Sequence, residues 1–356
     1  MSGFYDNPRA REWRTLGARD VSEFHRGLPG YAPTRLVEVP EIAAELGVAR
    51  VFVKEESSRL GLPAFKVLGA SYAVSRALST RIGHSGALPL DELRGAAGGV
   101  RLVTATDGNH GRAVAHVARL LGISATIFTP VNISQAAKDA IEAEGARRVE
   151  VDAEYDDVVR AAASLVDEGA MLIQDTSWDG YEEVPGWIVE GYTTLVIEAD
   201  MQGAEVGAAE FDVVFVPVGV GSLAEAVVRH YRSGSSSPSV VSVEPTAAPA
   251  VLTSLNAGER RAVRTSSTIM AGLNCGTPSA TAWPTLRDGL DRAVAVTDEQ
   301  ALAAVSDLAA SGIDAGPCGA AALAGARALA SHLSSAATLL LLSTEGRAAN
   351  PVPVHA

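Results

Sequence analysis

Short runs of apolar, β-branched residues alternate with alanine-rich segments along most of this chain. Strands are predicted for the runs at 50–56, 99–106, 124–130, 147–152, 170–175, 211–219, 239–245 and 337–346. Helical patterns lie between them, at 110–122, 134–145, 156–169 and 222–234. Nearly continuous apolar strands separated by helices of this length predict parallel sheet covered on both faces, the α/β fold class. Because such sheets bind ligands at the carboxyl ends of their strands, the residues just after each strand are candidates for a site.

Four of the predicted strands and three of the helices fall between residues 99 and 177. These elements are enough to form a small sheet of their own. We therefore predict a small inserted α/β domain at 99–177 and a large domain made of 1–98 and 178–356. The segment "RSGSSSPS" at 232–239 is interpreted as a surface loop, not as a domain linker.

The net charge of −13 argues against two classes of partner. A strongly acidic chain repels phosphate backbones and anionic lipid surfaces, so we expect no nucleic-acid and no membrane partner. The apolar runs are shorter than the roughly 18 residues of a membrane span, and the N-terminus lacks the apolar part of a secretion signal. The two cysteines have no metal-binding spacing, so we expect a cytoplasmic protein without a metal site that binds a small molecule.

Lysine is scarce in this chain. Of the 29 basic residues, 26 are arginines and three are lysines, at positions 54, 66 and 138. An arginine keeps its proton, whereas a lysine in apolar surroundings can lose it and act as an amine nucleophile. Lys54 adjoins two glutamates and is interpreted as salt-bridged, and Lys138 lies on a charged amphipathic helix. Lys66, within "GLPAFKVLGASYAV", has apolar neighbours and is the candidate nucleophile, although a lysine that reaches solvent from a helix flank would show the same pattern.

The turn "DGNHG" at 107–111 follows a predicted strand and precedes a helix. The unpaired N–H groups of a helix start favour an anion. A simpler interpretation is that Asp107 or Asn109 caps the helix and that His110 is a packed or capping histidine.

A second turn, "GVGSLAEAVV" at 219–228, follows another predicted strand. Its glycines let the backbone approach a ligand, and the helix start at Ser222 or Leu223 adds N–H groups and a hydroxyl, which suits a phosphate. A plain strand-to-helix turn is the alternative. The dinucleotide fingerprint GxGxxG is absent, because Ala224 occupies the third glycine position.

The last predicted strand carries two hydroxyls near its end, Ser343 and Thr344. A hydroxyl there could cap a helix or meet a ring nitrogen. Together with Lys66 and the two glycine turns, these residues form the set that pyridoxal phosphate needs. That set is a lysine for a Schiff base, donors for the phosphate, and partners for the phenolic oxygen and the ring nitrogen.

Over most of its length the chain resembles the diaminopropionate ammonia-lyase family, within the tryptophan-synthase-β-like (fold type II) pyridoxal-phosphate enzymes. The similar segments, in the family's order, are "RLGLPAFKVLGASYAV", "TATDGNHGRAVAHVARLLG", "YDDVV", "IQDTSWDGY", "VPVGVGSLAEAVVRHY", "VEP", "TIMAGLNCG" and "LLSTEG". The resemblance implies two open, twisted, mostly parallel sheets flanked by helices, with the active site between the domains. It also implies β-elimination from 2,3-diaminopropionate or a related β-substituted amino acid, giving a 2-oxo acid and ammonia, and commonly a homodimer.

The resemblance also implies a role for each motif. Lys66 would form the Schiff base, and Asn109 would contact the phenolic oxygen of the cofactor. Thr344 or Ser343 would face the pyridine nitrogen. The phosphate would be held by Gly219, Val220, Gly221, Ser222 and Leu223.

The remaining implied roles concern the substrate. Asp107 would take the Cα proton of a D-substrate, while Lys66 would serve the L-isomer. A carboxylate can act as such a base if partial burial raises its pKa. Asp175 would bind or protonate the β-amino group, although it could equally cap a loop. Thr106 and Cys318 are expected on the substrate side of the pocket.

Two positions depart from the family pattern. "GPCG" at 316–319 stands where "GESG" is expected, and Thr277 replaces an acidic residue after "MAGLNCG". The run "PCGAA" also resembles the "PSGAA" of threonine dehydratase and synthase relatives. A serine/threonine dehydratase or a biosynthetic β-replacement enzyme on the same fold therefore remains open, as does a catalytically silent protein that binds a ligand.

Overall fold

The apolar strands form two separate sheets in the computed structural model, which describes residues 4–17, 19–106, 108–153, 155–166, 169–234 and 237–351. The larger sheet contains β1 (Phe4–Asp6), β2 (Leu36–Glu38), β3 (Arg50–Glu55), β8 (Val213–Pro217), β9 (Ser239–Pro245), β10 (Arg292–Val296) and β11 (Thr338–Ser343). Its strand order is β1-β10-β9-β8-β11-β3-β2. The inner strands pair in parallel, and the short strands β1 and β2 pair antiparallel at the two edges.

The smaller sheet uses residues from the middle of the chain. Its strands are β4 (Arg101–Ala105), β5 (Ser124–Pro130), β6 (Arg147–Val151) and β7 (Ala170–Leu172). They pair in parallel in the order β6-β5-β4-β7. The predicted α/β class with two open, mostly parallel sheets is therefore confirmed, while the domain boundaries before residues 99 and 178 stay a prediction.

Helices of the described residues cover the sheets and connect the parallel strands. They are α1 (Ser22–Arg26), α2 (Pro40–Leu46), α3 (Val67–Arg81), α4 (Leu90–Leu93), α5 (Asn109–Leu121), α6 (Gln135–Ala143), α7 (Tyr155–Ala163), α8 (Glu183–Glu205), α9 (Ser222–Ser233), α10 (Ala250–Ala257), α11 (Ala282–Gly289), α12 (Asp298–Ala310) and α13 (Pro317–Ala328). Within the described ranges, every helix is too short or too polar to span a bilayer.

Each predicted strand and helix is present, but several are shorter than predicted, among them β8 (predicted 211–219) and β11 (predicted 337–346). The strand predicted at 170–175 ends at Leu172, because Gln174 turns its side chain to the Thr104 hydroxyl and the Ala105 N–H group. The helix predicted at 156–169 ends at Ala163. The loop predicted at 232–239 is longer than the one observed, because residues 232 and 233 end α9 and residue 239 begins β9; residues 235 and 236 lie outside the described residues.

Helix α3 packs closely against α8, and this packing fixes the start of α3. Lys66 directly precedes the first residue of α3. At Gly191 of α8, an added Cβ atom would lie 2.6 Å from the Leu68 carbonyl oxygen. At Gly69 of α3, it would lie 2.6 Å from the Tyr192 ring. Glycine at both positions therefore lets the two helices approach closely. This contact holds the loop that precedes Lys66 against α8.

A buried ionic cluster lies behind that loop. Lys54 donates to Glu198 at 2.8 Å, and Arg59 donates to both Glu198 and Glu56 at 2.7 Å. Lys54 and Arg59 are 0% exposed. The predicted salt bridge of Lys54 is thus present, but its hydrogen-bonded partner comes from α8 and not from the adjacent glutamates. The cluster ties β3 and the segment before Lys66 to α8.

Replacing Glu198 with alanine is expected to lower the free energy of unfolding by about 3–5 kcal/mol, because it leaves two buried cations without their shared carboxylate. Urea denaturation of the purified variant measures this loss. The matched control is Glu259→Ala, which removes an exposed partner of Arg261 and should cost less than about 1 kcal/mol. Equal midpoints for the two variants would contradict a stabilising role for the cluster.

Candidate active site

The residues singled out after the strands meet in one pocket between the two sheets. The described lining of this pocket includes Phe65, Lys66, Asn109, Asp175, Gly219, Val220, Gly221, Ser222, Leu223, Gly272, Cys275, Cys318, Thr344 and Glu345. These residues come from the starts of α3, α5, α9 and α13, from the ends of β8 and β11, and from the loops after β7 and before α11. The carboxyl ends of the strands and the N-termini of the helices thus line the same pocket.

Lys66 and Asp175 form an ion pair inside this pocket. The Lys66 Nζ atom donates to Asp175 Oδ2 at 2.7 Å, and the lysine side chain is 20% exposed. Nζ also lies 5.5 Å from the centroid of the Phe65 ring and 5.9 Å from that of Tyr192. The lysine therefore reaches into the pocket beside two aromatic rings and does not extend into solvent from the helix flank.

Asp175 is buried, and its charge depends on the lysine. Burial is the largest single influence on this carboxyl and raises its pKa, but the Lys66 charge, the influence of His110 and the hydrogen bonds to Asp175 together lower the pKa to about 2. Its backbone carbonyl accepts a hydrogen bond from the Ser222 hydroxyl at 2.9 Å. The acid is thus ionised at neutral pH and linked directly to the glycine turn.

His110 is a packed histidine, as the simpler interpretation held. Its Nε2 lies 2.7 Å from the Ile173 carbonyl, which can only accept, so Nε2 carries the hydrogen. Burial and the Lys66 ammonium lower the pKa of His110, so the ring is neutral at pH 7. Its Nδ1 lies 3.9 Å from Asp175 Oδ2. The ring supports the loop that carries the acid.

The turn at 219–222 joins β8 to α9, whose first residue is Ser222, one of the two predicted helix starts. Gly221 has φ +104°, in the region that favours glycine. At Gly219, an added Cβ atom would lie 3.0 Å from the Cys275 sulfur and 3.1 Å from the Gly272 carbonyl oxygen. The turn therefore needs glycine at both positions, and it leads into the N-terminus of a 12-residue helix, which suits a phosphate group.

The two hydroxyls at the end of β11 differ in position. Thr344 lines the pocket. Ser343 Oγ is buried without a hydrogen-bond partner among the described residues, and an added Cβ atom at Gly319 would lie 2.7 Å from it. Thr344 is therefore the better placed of the two for contact with a bound ring.

Asn109 and Cys318 meet at a residue that was not singled out from the sequence. Asn109 Nδ2 donates to Glu345 Oε2 at 2.5 Å, and the Cys318 N–H group donates to Glu345 Oε1 at 3.3 Å. Burial raises the pKa of the Glu345 carboxyl above its usual value. The signal available in the sequence was the motif "TEG", which places an acid directly after the two strand-end hydroxyls.

Two predicted substrate residues, Thr106 and Asp107, precede α5 in the sequence. Thr106 Oγ1 accepts the N–H groups of Gly108 at 2.9 Å and of Gly111 at 3.0 Å, so its hydroxyl holds the turn. Asp107 lies outside the described residues, and its role as a base stays a prediction. Asn109 is the first residue of α5, where the flanking Gly108 makes no side-chain cap.

Replacing Gly221 with alanine is expected to weaken pyridoxal phosphate binding by at least about tenfold, because the added Cβ atom would strain φ and meet the Leu286 side chain at 2.6 Å. Fluorescence titration of the cofactor-free protein measures the dissociation constant. The control is Gly207→Ala, which also has positive φ but open space around it and lies after α8. An unchanged affinity in the Gly221 variant would show that this turn does not hold the phosphate.

Comparisons with known proteins agree on one kind of enzyme. The family model described as "Pyridoxal-phosphate dependent enzyme" matches residues 28–345. A diaminopropionate ammonia-lyase from Salmonella typhimurium is 37% identical over 291 residues, which cover 78% of this chain and 72% of that protein.

Solved structures give the same result. The Escherichia coli diaminopropionate ammonia-lyase in complex with D-serine matches with a TM-score of 0.89 and 32% identity, covering 97% of this chain and 94% of that one. The same enzyme in complex with an aminoacrylate-PLP azomethine reaction intermediate matches with a TM-score of 0.88 and equal coverage and identity.

Proposed function

Because the chain belongs to the pyridoxal-phosphate-dependent enzyme family and, within it, to the diaminopropionate ammonia-lyases, we propose that it eliminates ammonia from 2,3-diaminopropionate or a closely related β-substituted amino acid. The cofactor is pyridoxal phosphate. The observation that carries the proposal is the 2.7 Å pair of Lys66 and Asp175 beside the glycine turn. The pair provides an amine nucleophile and a buried carboxylate in one pocket.

The described residues fit this cofactor. The N-terminus of α9 and the glycines of the turn before it suit the phosphate. Lys66 lines the same pocket, where its Nζ atom can attach the cofactor covalently. Asn109 would donate to the phenolic oxygen, and Thr344 would face the ring nitrogen. When bound, pyridoxal phosphate makes the Cα–H bond of an amino acid acidic, because its ring accepts the electron pair.

The side chains of this protein would then take up the Cα proton and bind the leaving nitrogen. The Lys66 amine takes the Cα proton of an L-substrate. Asp175 binds the β-nitrogen, which arrives as an ammonium group and leaves as neutral ammonia with the electrons of the Cβ–N bond. No additional proton is needed for that departure. Asp107 would serve as the base on the opposite face for a D-substrate.

The substrate has room beside the pocket. An adjoining chamber of about 590 Å³ shares Asn109, Gly272 and Glu345 with the cofactor pocket. Its wall includes the neutral polar side chains of Ser134, Thr265, Ser266, Ser267, Thr268, Asn274 and Asn350. A small polar amino acid is compatible with such a lining.

A serine/threonine dehydratase is the second candidate, and Cys318 favours it. Cys318 follows Pro317 at the start of α13 and lines the pocket, where the diaminopropionate family is expected to have "GESG". The carboxylate of Asp175 favours the first candidate, since a cationic leaving group pairs with it better than a hydroxyl does. The two candidates therefore predict different substrate preferences.

The test is release of pyruvate and ammonia by the cofactor-loaded protein. L- and D-diaminopropionate, serine and threonine are compared at equal concentration, with the corresponding 2-oxo acid measured for each. We expect the highest kcat/KM for a diaminopropionate isomer. Preference for serine or threonine would support the dehydratase. If no substrate turns over while the cofactor's visible absorption band is present, the degradative function is wrong.

We further propose that the enzyme is a cytoplasmic homodimer. Both cysteines, Cys275 and Cys318, carry thiol groups, as is usual in proteins of a reducing compartment. The dimer follows the expectation from the resemblance. Light scattering of the purified protein would measure its mass against the 36.7 kDa chain.

A further inference from the structure

Glu345 lines the pocket and directly follows Ser343 and Thr344 in the sequence. It is 2% exposed, and it lines both the cofactor pocket and the adjoining chamber. Burial of a carboxyl group lowers the stability of a protein unless hydrogen-bond donors surround the group. The donors around Glu345 therefore indicate its role.

Both oxygens of this carboxyl accept hydrogen bonds from residues of the pocket. Oε2 accepts from Asn109 Nδ2 at 2.5 Å, and Oε1 accepts from the Cys318 N–H group at 3.3 Å. The partners begin α5 and α13, and they lie 236 and 27 residues from Glu345 in the sequence. One side chain thus connects two helix starts at the lining of the pocket.

The backbone around Glu345 is held on both sides. The Gly316 N–H group donates to the Glu345 carbonyl at 2.9 Å, and the Gly346 N–H group donates to the Pro63 carbonyl at 2.9 Å. At Gly319, an added Cβ atom would lie 2.7 Å from the Glu345 carbonyl oxygen. The carboxyl therefore has a fixed position between the loop before Lys66 and the start of α13.

We propose that Glu345 is a positioning residue that orients the side-chain amide of Asn109 toward the cofactor. An amide has one donating and one accepting end, and the carboxyl oxygen selects the donating end. The Asn109 Nδ2 atom carries two hydrogens, and the bond to Glu345 uses one of them. The second is then directed by the planar amide and serves the phenolic oxygen. This inference rests on the role proposed for Asn109, not on the substrate of the enzyme.

Hydrogen bonds stabilise this carboxyl as an acceptor. Burial raises the pKa of Glu345 above its usual value, whereas the hydrogen bonds from Asn109, Cys318 and Asn350 lower it. The ionisable side chains that share the pocket lining with it are Lys66, Asp175, Cys275 and Cys318.

The test is a double-mutant cycle on the cofactor-loaded protein, with Glu345→Ala, Asn109→Ala and the combined variant. The readouts are the dissociation constant for pyridoxal phosphate and the pH midpoint of the visible absorption band. We expect Glu345→Ala to weaken binding about tenfold and to move the midpoint in the same direction as Asn109→Ala. The combined variant should differ from Asn109→Ala by less than about twofold, because the two residues act as a unit.

Glu345→Gln tests the same point with a smaller change. Glutamine keeps one acceptor oxygen for two N–H donors, so its midpoint should fall between those of the natural protein and Glu345→Ala. If Glu345→Ala does not fold, the cycle is run with Glu345→Gln, and the same non-additivity is expected.

The matched control is Glu244→Gln. Glu244 is 0% exposed and accepts the N–H groups of Val251 and Leu252 at 2.7 Å, away from the pocket lining. This variant should lose stability without a change in the midpoint. Additive effects of the Glu345 and Asn109 changes, or an unchanged midpoint in Glu345→Ala, would overturn the proposal. Neither readout needs turnover, so failure of the lyase assay leaves this test intact.

Discussion

Replacing Lys66 with alanine is expected to lower kcat/KM on diaminopropionate by at least about three orders of magnitude. In the proposed mechanism, the variant loses the amine that would attach the cofactor and take the Cα proton. It should also lose the visible absorption band of the covalently attached cofactor. Stopped assays of ammonia release and absorption spectra of the same sample measure the two effects.

Two further variants show which property of Lys66 matters. Lys66→Arg keeps a cation beside Asp175 but cannot supply an unprotonated amine, so it should be as inactive as the alanine variant. Lys138→Ala is the control, since Lys138 pairs with Glu150 on the smaller sheet and should leave kcat/KM within about twofold. Turnover by Lys66→Arg at the natural rate would refute the nucleophile assignment.

Site residues at strand ends could be predicted from the sequence, because a strand end can be recognised from its neighbouring residues and parallel sheets bind ligands there. A strand followed by glycines and a helix start predicts the turn at 219–222, and the apolar neighbours of Lys66 separate it from Lys138. Ser343 and Thr344 follow from the end of β11 in the same way. In each case the sequence neighbours decide the chemistry.

Pairs that depend on the packing of distant segments could not be found in this way. Lys66 and Asp175 are 109 residues apart, and Asn109 and Glu345 are 236 apart. Their meeting depends on how the two sheets face each other. The motif "TEG" gave Glu345 no local sign of burial or of its partners.

Some elements also lacked a local signal. Helix α8 was not among the predicted helices, although it packs along α3, because its glycines and β-branched residues oppose helix formation and are tolerated only by close packing. The three-residue edge strands β1 and β2 are too short to show alternation. The unpredicted strand β10 pairs with β9 in the same sheet.

Asp175 has two possible roles, as the partner of Lys66 and as the group that binds the β-ammonium of the substrate. Replacing Asp175 with asparagine is expected to separate them. Asp175 lies 2.7 Å from Lys66 Nζ, and it is proposed to bind the β-ammonium of the substrate. The variant keeps the size of the side chain but removes the charge. We expect kcat/KM on diaminopropionate to fall by about 100- to 1,000-fold.

β-Chloroalanine distinguishes the two roles, because its leaving group is a chloride ion and brings no cation for Asp175 to bind. On this substrate the variant should lose less than about tenfold, the part that reflects the changed partner of Lys66. Asp179→Asn, an exposed aspartate of the same loop, is the control and should leave both rates near those of the natural protein. An equal loss on both substrates would show that Asp175 acts through Lys66 and does not bind the departing nitrogen.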